Sequence, residues 1–347
     1  HVSVYLNNIG RYQYQAYNQI INNIASNSDN SKTIENMDGL GYTVLMQPIE
    51  ALNMVYPNVD AVITANNNII NQEQTSELDQ SKQLAYVGKN GLHQTMNYAE
   101  NISKNEKGNF EYKPEILSTF GPIFAPDRIG NFSSKIKSVC DNIINSEGIV
   151  LIYSEYIDGG VVPIALALEE LGFTRHGYKS LFKTAPTEPL DSTNMQPKSM
   201  YSGNADSFKP VKYTMITGDK SLSPNNVDEM KALTSDDNVN GENIKVVIIS
   251  KAGAEGLDFK NIRQIHILEP WYNLSRNEQI VGRGVRQCSH IKLPFEERNI
   301  TIFNYVAHTT GNHIRDLDKE IVETDYIEKG SQDADLRKLQ LATNKYK

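Results

Sequence analysis

From about residue 131 onward, short apolar runs alternate with segments of helical spacing. The runs are rich in β-branched residues, which is typical of buried strands, and the segments between them place apolar residues at a helical period. The predicted strands are Ile149–Tyr153, Tyr213–Ile216, Lys245–Ile249, Gln264–Leu268 and Asn299–Val306, and the predicted helices are Val161–Leu171, Pro224–Leu233 and Leu274–Val285. This alternation predicts an α/β fold, a parallel sheet with helices on both faces.

Polar residues follow three of the predicted strands directly. Ser154 ends the first strand, Thr217 and Gly218 follow the second, and Ser250 follows the third. Ligands of open parallel sheets bind at the carboxyl ends of the strands. We therefore expect these residues to gather at one edge of the sheet and to contribute to a binding site.

The first 130 residues lack this alternation. Val4 to Ile24 reads as a helix, and Gly39 to Tyr56 contains another that Pro57 closes. Residues 61–115 are polar without a steady period, which predicts an insertion or helical protrusion. We therefore divide the chain into a mainly helical linker and insertion region (1–130), an α/β lobe (131–325) and a C-terminal tail or helix (326–347).

Composition limits the kinds of partner. The formal net charge of −8 excludes a broadly basic coat, although a local basic groove stays open. The two cysteines in 347 residues indicate a reducing compartment. No apolar run approaches the roughly 20 residues of a membrane helix, so we expect no membrane partner. Because the sequence opens on His1, we expect a fragment or processed form.

A glycine-rich segment, Ser250 to Phe259, follows the third strand. Its glycines, Gly253 and Gly256, allow a close approach of backbone to phosphate. Asp258 is placed either to bind a ribose hydroxyl or to hold neighbouring arginines, while Ser250 and Lys251 could contact a nucleic-acid backbone. An ordinary turn between strand and helix would look the same.

Two arginines close the next predicted helix. Arg283 and Arg286 are three residues apart, so on a helix both guanidinium groups point the same way. Such a pair can bind a phosphoryl group in two-pronged fashion. A solvated helix face is the alternative, but no acidic residue lies three or four positions ahead of either arginine.

The order of these segments resembles superfamily 2 helicases. Residues 245–290 are similar to motifs V and VI of the Swi/Snf-like branch, with Trp271-Tyr272-Asn273 between them and Gln279 before the arginines. Ile152-Tyr153-Ser154 resembles motif IV, and Thr217-Gly218 the next backbone-contact motif. The tail from Gly282 to His290 is similar to large DNA virus members, the poxvirus-type nucleoside triphosphatases and early transcription factor ATPase subunits.

The resemblance implies a function and a set of roles. The chain would be the second RecA-like lobe of a viral ATP-dependent nucleic-acid helicase or translocase that acts in transcription. Arg283, Arg286 and Gln279 would be catalytic, and Gly256 and Asp258 would contact the nucleotide. The implied nucleic-acid contacts are Ser154, Thr217, Gly218, Ser250 and Lys251.

No phosphate-binding loop of the form Gly-x-x-x-x-Gly-Lys-Ser/Thr occurs in the chain. We therefore expect ATP and Mg²⁺ to be held mainly by an absent N-terminal lobe, with no metal site here and no ATPase activity in the isolated fragment. The expected partners are nucleic acid, DNA before RNA, that lobe, and viral RNA polymerase. The expected location is the host cytoplasm (viral factory) or the virion, with the nucleus as alternative.

Two other functions fit the same residues. A cellular chromatin-remodelling or repair motor would carry the same motifs, and a non-catalytic nucleic-acid-binding scaffold could keep the fold without hydrolysis. The Ser289-His290 tail and the asparagine-rich insertion favour the viral version. The presence of both arginines argues against the scaffold.

Overall fold

The computed structural model describes residues 4–27, 46–59, 86–101, 106–204, 207–253, 256–269, 274–308 and 320–322. The predictions made for residues 39–45, 61–85, Trp271 to Asn273 and the tail 326–347 lie outside these ranges. Within them, no helix is both long enough and apolar enough to span a bilayer.

One eight-stranded sheet organises the chain, with strand order β10-β1-β9-β8-β4-β7-β6-β5. Its strands are β1 (Val4–Asn8), β4 (Ile149–Ser154), β5 (Thr174–Arg175), β6 (Lys212–Ile216), β7 (Val246–Ser250), β8 (Ile262–Ile267), β9 (Thr301–His308) and β10 (Glu320–Val322). Seven strands run parallel, and β10 alone pairs antiparallel, with β1. The parallel strands place their carboxyl ends at one edge.

Helices cover both faces of this sheet. They are α1 (Arg11–Asn27), α2 (Met46–Asn53), α3 (Gly88–Thr95), α4 (Pro114–Phe120), α5 (Ser134–Ile144), α6 (Val162–Leu171), α7 (Asn226–Leu233) and α8 (Leu274–Gly284). Strand β4 shows the two faces directly, because Val150 and Ile152 pack into one core while Ile149, Leu151 and Tyr153 pack into the other. The predicted α/β fold, a parallel sheet with helices on both faces, is confirmed.

The predicted helix from Val4 is wrong at its start. Residues Val4–Asn8 form β1, which lies beside β9 in the main sheet, and helix α1 begins only at Arg11. Gly10 separates the two elements and packs against backbone, since a Cβ there would come within 2.9 Å of the Gly130 carbonyl oxygen. Pairing with β9 decides the strand, and that partner lies almost 300 residues away in the sequence.

The described part of the insertion is only partly helical. After α3, strands β2 (Met96–Asn101) and β3 (Glu106–Tyr112) form an antiparallel hairpin that the sequence pattern did not indicate. The Lys107 amide donates to the Ser221 carbonyl at 3.0 Å, which places the hairpin next to the turn that follows β6. The second predicted helix is confirmed for Met46–Asn53, and it ends three residues before Tyr56.

Candidate nucleotide and nucleic-acid site

The predicted hydroxyl residues do lie at the carboxyl edge of the sheet. Strands β4, β7 and β6 are neighbours, Ser154 pairs in register with Ser250, and Thr217 follows the last residue of β6. The apolar residues of these strands pair in parallel register, so the polar residues that follow them lie side by side at the carboxyl edge.

Thr217 and Ser250 turn their hydroxyl groups into the protein. Both residues are buried, and the Thr217 hydroxyl shares a 2.6 Å hydrogen bond with that of Ser223. The Ser250 hydroxyl accepts from the Gly218 and Gly253 amides, each at 3.3 Å. Gly218 is exposed. The hydroxyl groups therefore fix the turns, and contact with a phosphate by these side chains stays a prediction.

Ser154 and Lys251 differ sharply in accessibility. Ser154 is fully buried and its hydroxyl donates to Glu269 Oε1 at 2.5 Å. A Cβ at Gly160 would overlap this hydroxyl, so the turn after β4 requires glycine. The side chain of Lys251 is half exposed, and its Nζ lies 3.5 Å from Glu155 Oε1. Of the two, Lys251 is the one available to a phosphate backbone.

The spacing predicted that Arg283 and Arg286 share one face of a helix, but the structure does not place them so. Helix α8 ends at Gly284, so Arg283 lies in its last turn and Arg286 lies beyond it. Gly284 packs on β8, where a Cβ would come within 3.0 Å of Ile265, and this packing ends the helix one residue before Val285.

Arg286 forms an exposed ion pair with Asp258. Its Nη1 lies 2.5 Å from Asp258 Oδ1, and both side chains are more than half exposed. The structure therefore shows the second of the two roles that the sequence allowed for Asp258, holding an arginine. The backbone also joins these segments, because the Phe259 amide donates to the Arg283 carbonyl at 3.2 Å.

Arg283 is held differently. Its side chain is partly buried, and its Nη1 is buried without a hydrogen-bond partner among the described residues. Gly256, in the glycine-rich segment, has φ +75°, is exposed, and has open space where a Cβ would stand. Gln279 is exposed on α8. A guanidinium nitrogen that lacks an acceptor is suited to a phosphate oxygen.

The arginines and the hydroxyl residues form two separate groups. Helix α8 follows β8 and packs back along it, so its last turn lies against Ile262 and Ile265 of β8, away from the carboxyl edge. The glycine-rich segment connects the groups, because it leaves β7 at Ser250 and reaches Phe259 beside Arg283. The expectation that Ser154, Thr217 and Ser250 gather at the carboxyl edge therefore holds, and the arginines lie elsewhere.

The residues present suit the outer part of a nucleotide. Arg283 Nη1, which has no hydrogen-bond partner among the described residues, fits an anionic phosphate, and the exposed Asp258 carboxylate fits a ribose hydroxyl. Among the described residues, no group of three or more histidine, cysteine, aspartate or glutamate side chains is arranged to hold a metal ion.

Sequence reasoning missed a buried polar network beneath the carboxyl edge. Glu269 is buried at the end of β8 and accepts hydrogen bonds from Asn53, Ser154 and the Glu155 amide. Burial raises the pKa of Glu269 to about 7. Lys135, also fully buried, donates to Asn53 and to the Leu268 carbonyl. The only sequence signal was the carboxylate directly after an apolar strand.

Comparison with known proteins finds similarity over the glycine-rich segment and the arginine helix. Residues 190–288 match the helicase conserved C-terminal domain. The chain is 35% identical over 185 residues to the termination factor NPH-I homolog of African swine fever virus, covering 51% of this chain and 26% of that protein. It is 29% identical over 236 residues to nucleoside triphosphatase I of Melanoplus sanguinipes entomopoxvirus, covering 64% of this chain and 30% of that protein.

The chain thus spans between a quarter and a third of the length of these relatives. It also resembles the C-terminal part of the Fun30 ATPase domain, with TM-score 0.44, 13% identity, and coverage of 88% of this chain and 84% of that one. The chain therefore matches the helicase conserved C-terminal domain over residues 190–288 and is similar to viral NPH-I, nucleoside triphosphatase and helicase-like proteins.

Proposed function

We propose that this chain is the second motor lobe of a viral ATP-dependent nucleic-acid translocase that acts in transcription. The helicase domain match and the names of the relatives, a termination factor and a nucleoside triphosphatase, support this assignment. Viral RNA polymerase is the proposed protein partner. The proposed location is the host cytoplasm or the virion, with the nucleus as the alternative.

One observation carries the proposal. The glycine-rich segment and the end of the arginine helix are in direct contact, through the Asp258–Arg286 ion pair and the hydrogen bond from Phe259 to Arg283. The two motifs that the sequence resemblance implied therefore lie side by side. Arg283 Nη1 has no hydrogen-bond partner within the part of the chain that the structure describes.

ATP and Mg²⁺ would supply the phosphoryl-transfer chemistry, held mainly by a lobe that carries a phosphate-binding loop. Arg283 would donate to a phosphate oxygen. Arg286 would exchange Asp258 for phosphate, and Asp258 would then be available to a ribose hydroxyl. Both arginines would stabilise charge that develops in the transition state, an effect worth about 10³-fold or more in related phosphoryl transfers.

Nucleic acid would bind along the carboxyl edge. Lys251 offers an accessible charge and Gly218 an exposed backbone, whereas the Thr217, Ser250 and Ser154 hydroxyl groups hold the underlying turns. Contacts of this kind read the phosphate backbone and not the bases, so the motor would tolerate any sequence.

The test uses the full-length protein that contains this chain. We expect Arg286→Ala and Arg283→Ala each to lower kcat by about 10³-fold while nucleotide affinity stays nearly unchanged, because the arginines act on the transition state. Lys260→Ala is the matched control, since Lys260 is an exposed cation on the same segment with no assigned role. Equal losses of affinity and rate would contradict the proposal.

The Asp258–Arg286 pair favours one alternative, a scaffold in which this arginine is structural. An exposed ion pair contributes at most about 1 kcal/mol to folding. If the scaffold assignment is correct, the full-length protein has no ATP turnover, and Arg286→Ala leaves its nucleic-acid binding unchanged. We expect no ATPase activity from the isolated chain under either assignment, so only the full-length protein separates them.

A further inference from the structure

The buried network around Glu269 joins four segments that are distant in sequence. Asn53 belongs to α2, Lys135 to α5, Ser154 to the end of β4, and Glu269 to the end of β8. All four side chains are buried, with exposed fractions of 2% or less. Burying charge is costly unless hydrogen bonds compensate it, so each contact in the network constrains its neighbours.

Glu269 uses both carboxylate oxygens. Oε1 accepts from Asn53 Nδ2 at 2.7 Å and from the Ser154 hydroxyl at 2.5 Å, while Oε2 accepts from the Glu155 amide at 2.9 Å. Lys135 donates to Asn53 Oδ1 at 3.0 Å and to the Leu268 carbonyl at 2.9 Å, which orients the asparagine toward the carboxylate. The carboxylate therefore fixes the backbone direction at the end of β4.

From Glu155 the contacts continue to the surface. The Glu155 side chain is mostly buried, and its Oε1 lies 3.5 Å from Lys251 Nζ. Its other oxygen has no hydrogen-bond partner within the part of the chain that the structure describes, so little besides the backbone sets its position. Because Glu269 holds that backbone, Glu269 also determines where Glu155 meets Lys251.

We infer that Glu269 is a positioning residue for nucleic-acid binding, which acts through Glu155 to hold Lys251 where it can meet a phosphate. This inference rests on the proposed function. Glu269 does not touch the nucleic acid. It ties helix α2 and the ends of β4 and β8 to the one accessible cation among the predicted backbone contacts.

Glu269→Gln is the decisive variant because it keeps the shape of the side chain. Its single carbonyl oxygen can still accept from Asn53 and Ser154, but its amide group can only donate toward the Glu155 amide, so that hydrogen bond is lost. Glu169→Gln is the matched control. Glu169 is also buried and accepts from the Leu181 and Phe182 amides, at 2.7 and 2.9 Å, at a site without contact to Lys251.

The experiment measures binding of a fluorescent DNA oligonucleotide to the full chain between 50 and 300 mM salt. Each phosphate contact contributes about 0.7 to 0.9 to the slope of log K against log salt. We expect Lys251→Ala and Glu269→Gln each to lower the slope by about that amount. The double variant should show no further drop, because both changes remove the same contact. Glu169→Gln should leave the slope unchanged.

The inference would be overturned by a slope unchanged by Glu269→Gln, by a slope unchanged by Lys251→Ala, or by fully additive effects in the double variant. The same slope loss in Glu169→Gln would also overturn it, since the effect would then reflect general loosening of the fold. If the unaltered chain shows no salt-dependent binding to DNA or RNA, the proposed function itself fails. That result is distinct from all the others.

Discussion

The carboxyl edge differs from the arginine surface, formed by Arg283, Arg286 and Asp258, in how fully its polar groups are hydrogen-bonded within the protein. At the carboxyl edge, Ser154, Thr217 and Ser250 are buried and hydrogen-bonded within the protein. On the arginine surface, Arg286 forms an exposed ion pair and a long hydrogen bond to the Gly282 carbonyl, and a nitrogen of Arg283 lacks an acceptor among the described residues.

The difference indicates a division between support and contact. Side chains whose polar groups are already satisfied stabilise the turns and add little new bonding to a ligand. Guanidinium groups with unused donors lose less when they turn toward a phosphate. The carboxyl edge is therefore expected to govern stability, and the arginine surface to govern turnover.

The largest expected effect is on stability and tests the buried residues that support the carboxyl edge. Lys135→Met should lower the free energy of unfolding by about 3–5 kcal/mol, because it leaves Asn53, the Leu268 carbonyl and Glu269 without the buried cation. Chemical denaturation measures this. Lys137→Met on the same helix removes only a partly exposed pair with Asp141 and should cost at most about 1 kcal/mol. If both variants lose a similar free energy of unfolding, the buried network around Lys135 has no special role in stability.

The pH dependence of the free energy of unfolding also tests the supporting role of Glu269. Burial raises the pKa of Glu269 to about 7, so folding favours its protonated form. Its contribution to stability is present below the ordinary carboxyl pKa and is lost as pH rises through 7. The free energy of unfolding of the unaltered chain should therefore fall relative to Glu269→Gln, by up to about 3 kcal/mol between pH 4.5 and 8.

Glu50 adds to this difference. Burial, together with the charges of Asp158 and Glu269, raises its pKa to about 7, so Glu269→Gln also lowers the pKa of Glu50 and the pH dependence that it contributes has the same sign. A difference that stays constant over the pH range would show that Glu269 is ionised throughout.

Thr217→Val should have a smaller effect, about 1–2 kcal/mol, because it leaves the buried Ser223 hydroxyl without its 2.6 Å partner. Thermal unfolding of the chain measures the loss. If the variant unfolds as the unaltered chain does but binds nucleic acid more weakly, the threonine hydroxyl is a direct contact. The division between supporting and contacting residues would then be wrong.

The smallest effect on stability belongs to Arg286→Ala, expected to be below about 1 kcal/mol since the pair with Asp258 is exposed. The same variant is expected to lower kcat of the full-length protein by about 10³-fold. Thermal unfolding and ATPase assays on one preparation give both values. A large loss of stability would place Arg286 with the supporting residues instead.

Much of the lobe could be predicted because its pattern is local. The strands β4, β6, β7, β8 and β9 are apolar runs bounded by polar or glycine residues, and all five were predicted within a few residues. Strand β1 was not, because Val4–Asn8 carries no pattern that distinguishes it from the helix that follows. The hairpin β2–β3 was missed for the same reason.

The candidate site was predictable in part. The glycine-rich segment and the arginines were found by their order, and the alternative of Asp258 holding an arginine came from spacing alone. The partners of two buried polar side chains could not be predicted, because Ser154 meets a residue 115 positions away and Asn53 one 216 positions away. Such contacts depend on which strands become neighbours.

The sequence by itself determined the α/β class, most strand positions, and the presence of two helicase-like motifs, since hydrophobic period and motif order are properties of neighbouring residues. Tertiary structure alone decided that β1 completes the sheet, that the hydroxyl groups face inward, and that Glu269 joins α2 to the carboxyl edge. Burial and hydrogen-bond partners arise only when distant segments pack, because the free energy of a polar side chain depends on the groups that surround it.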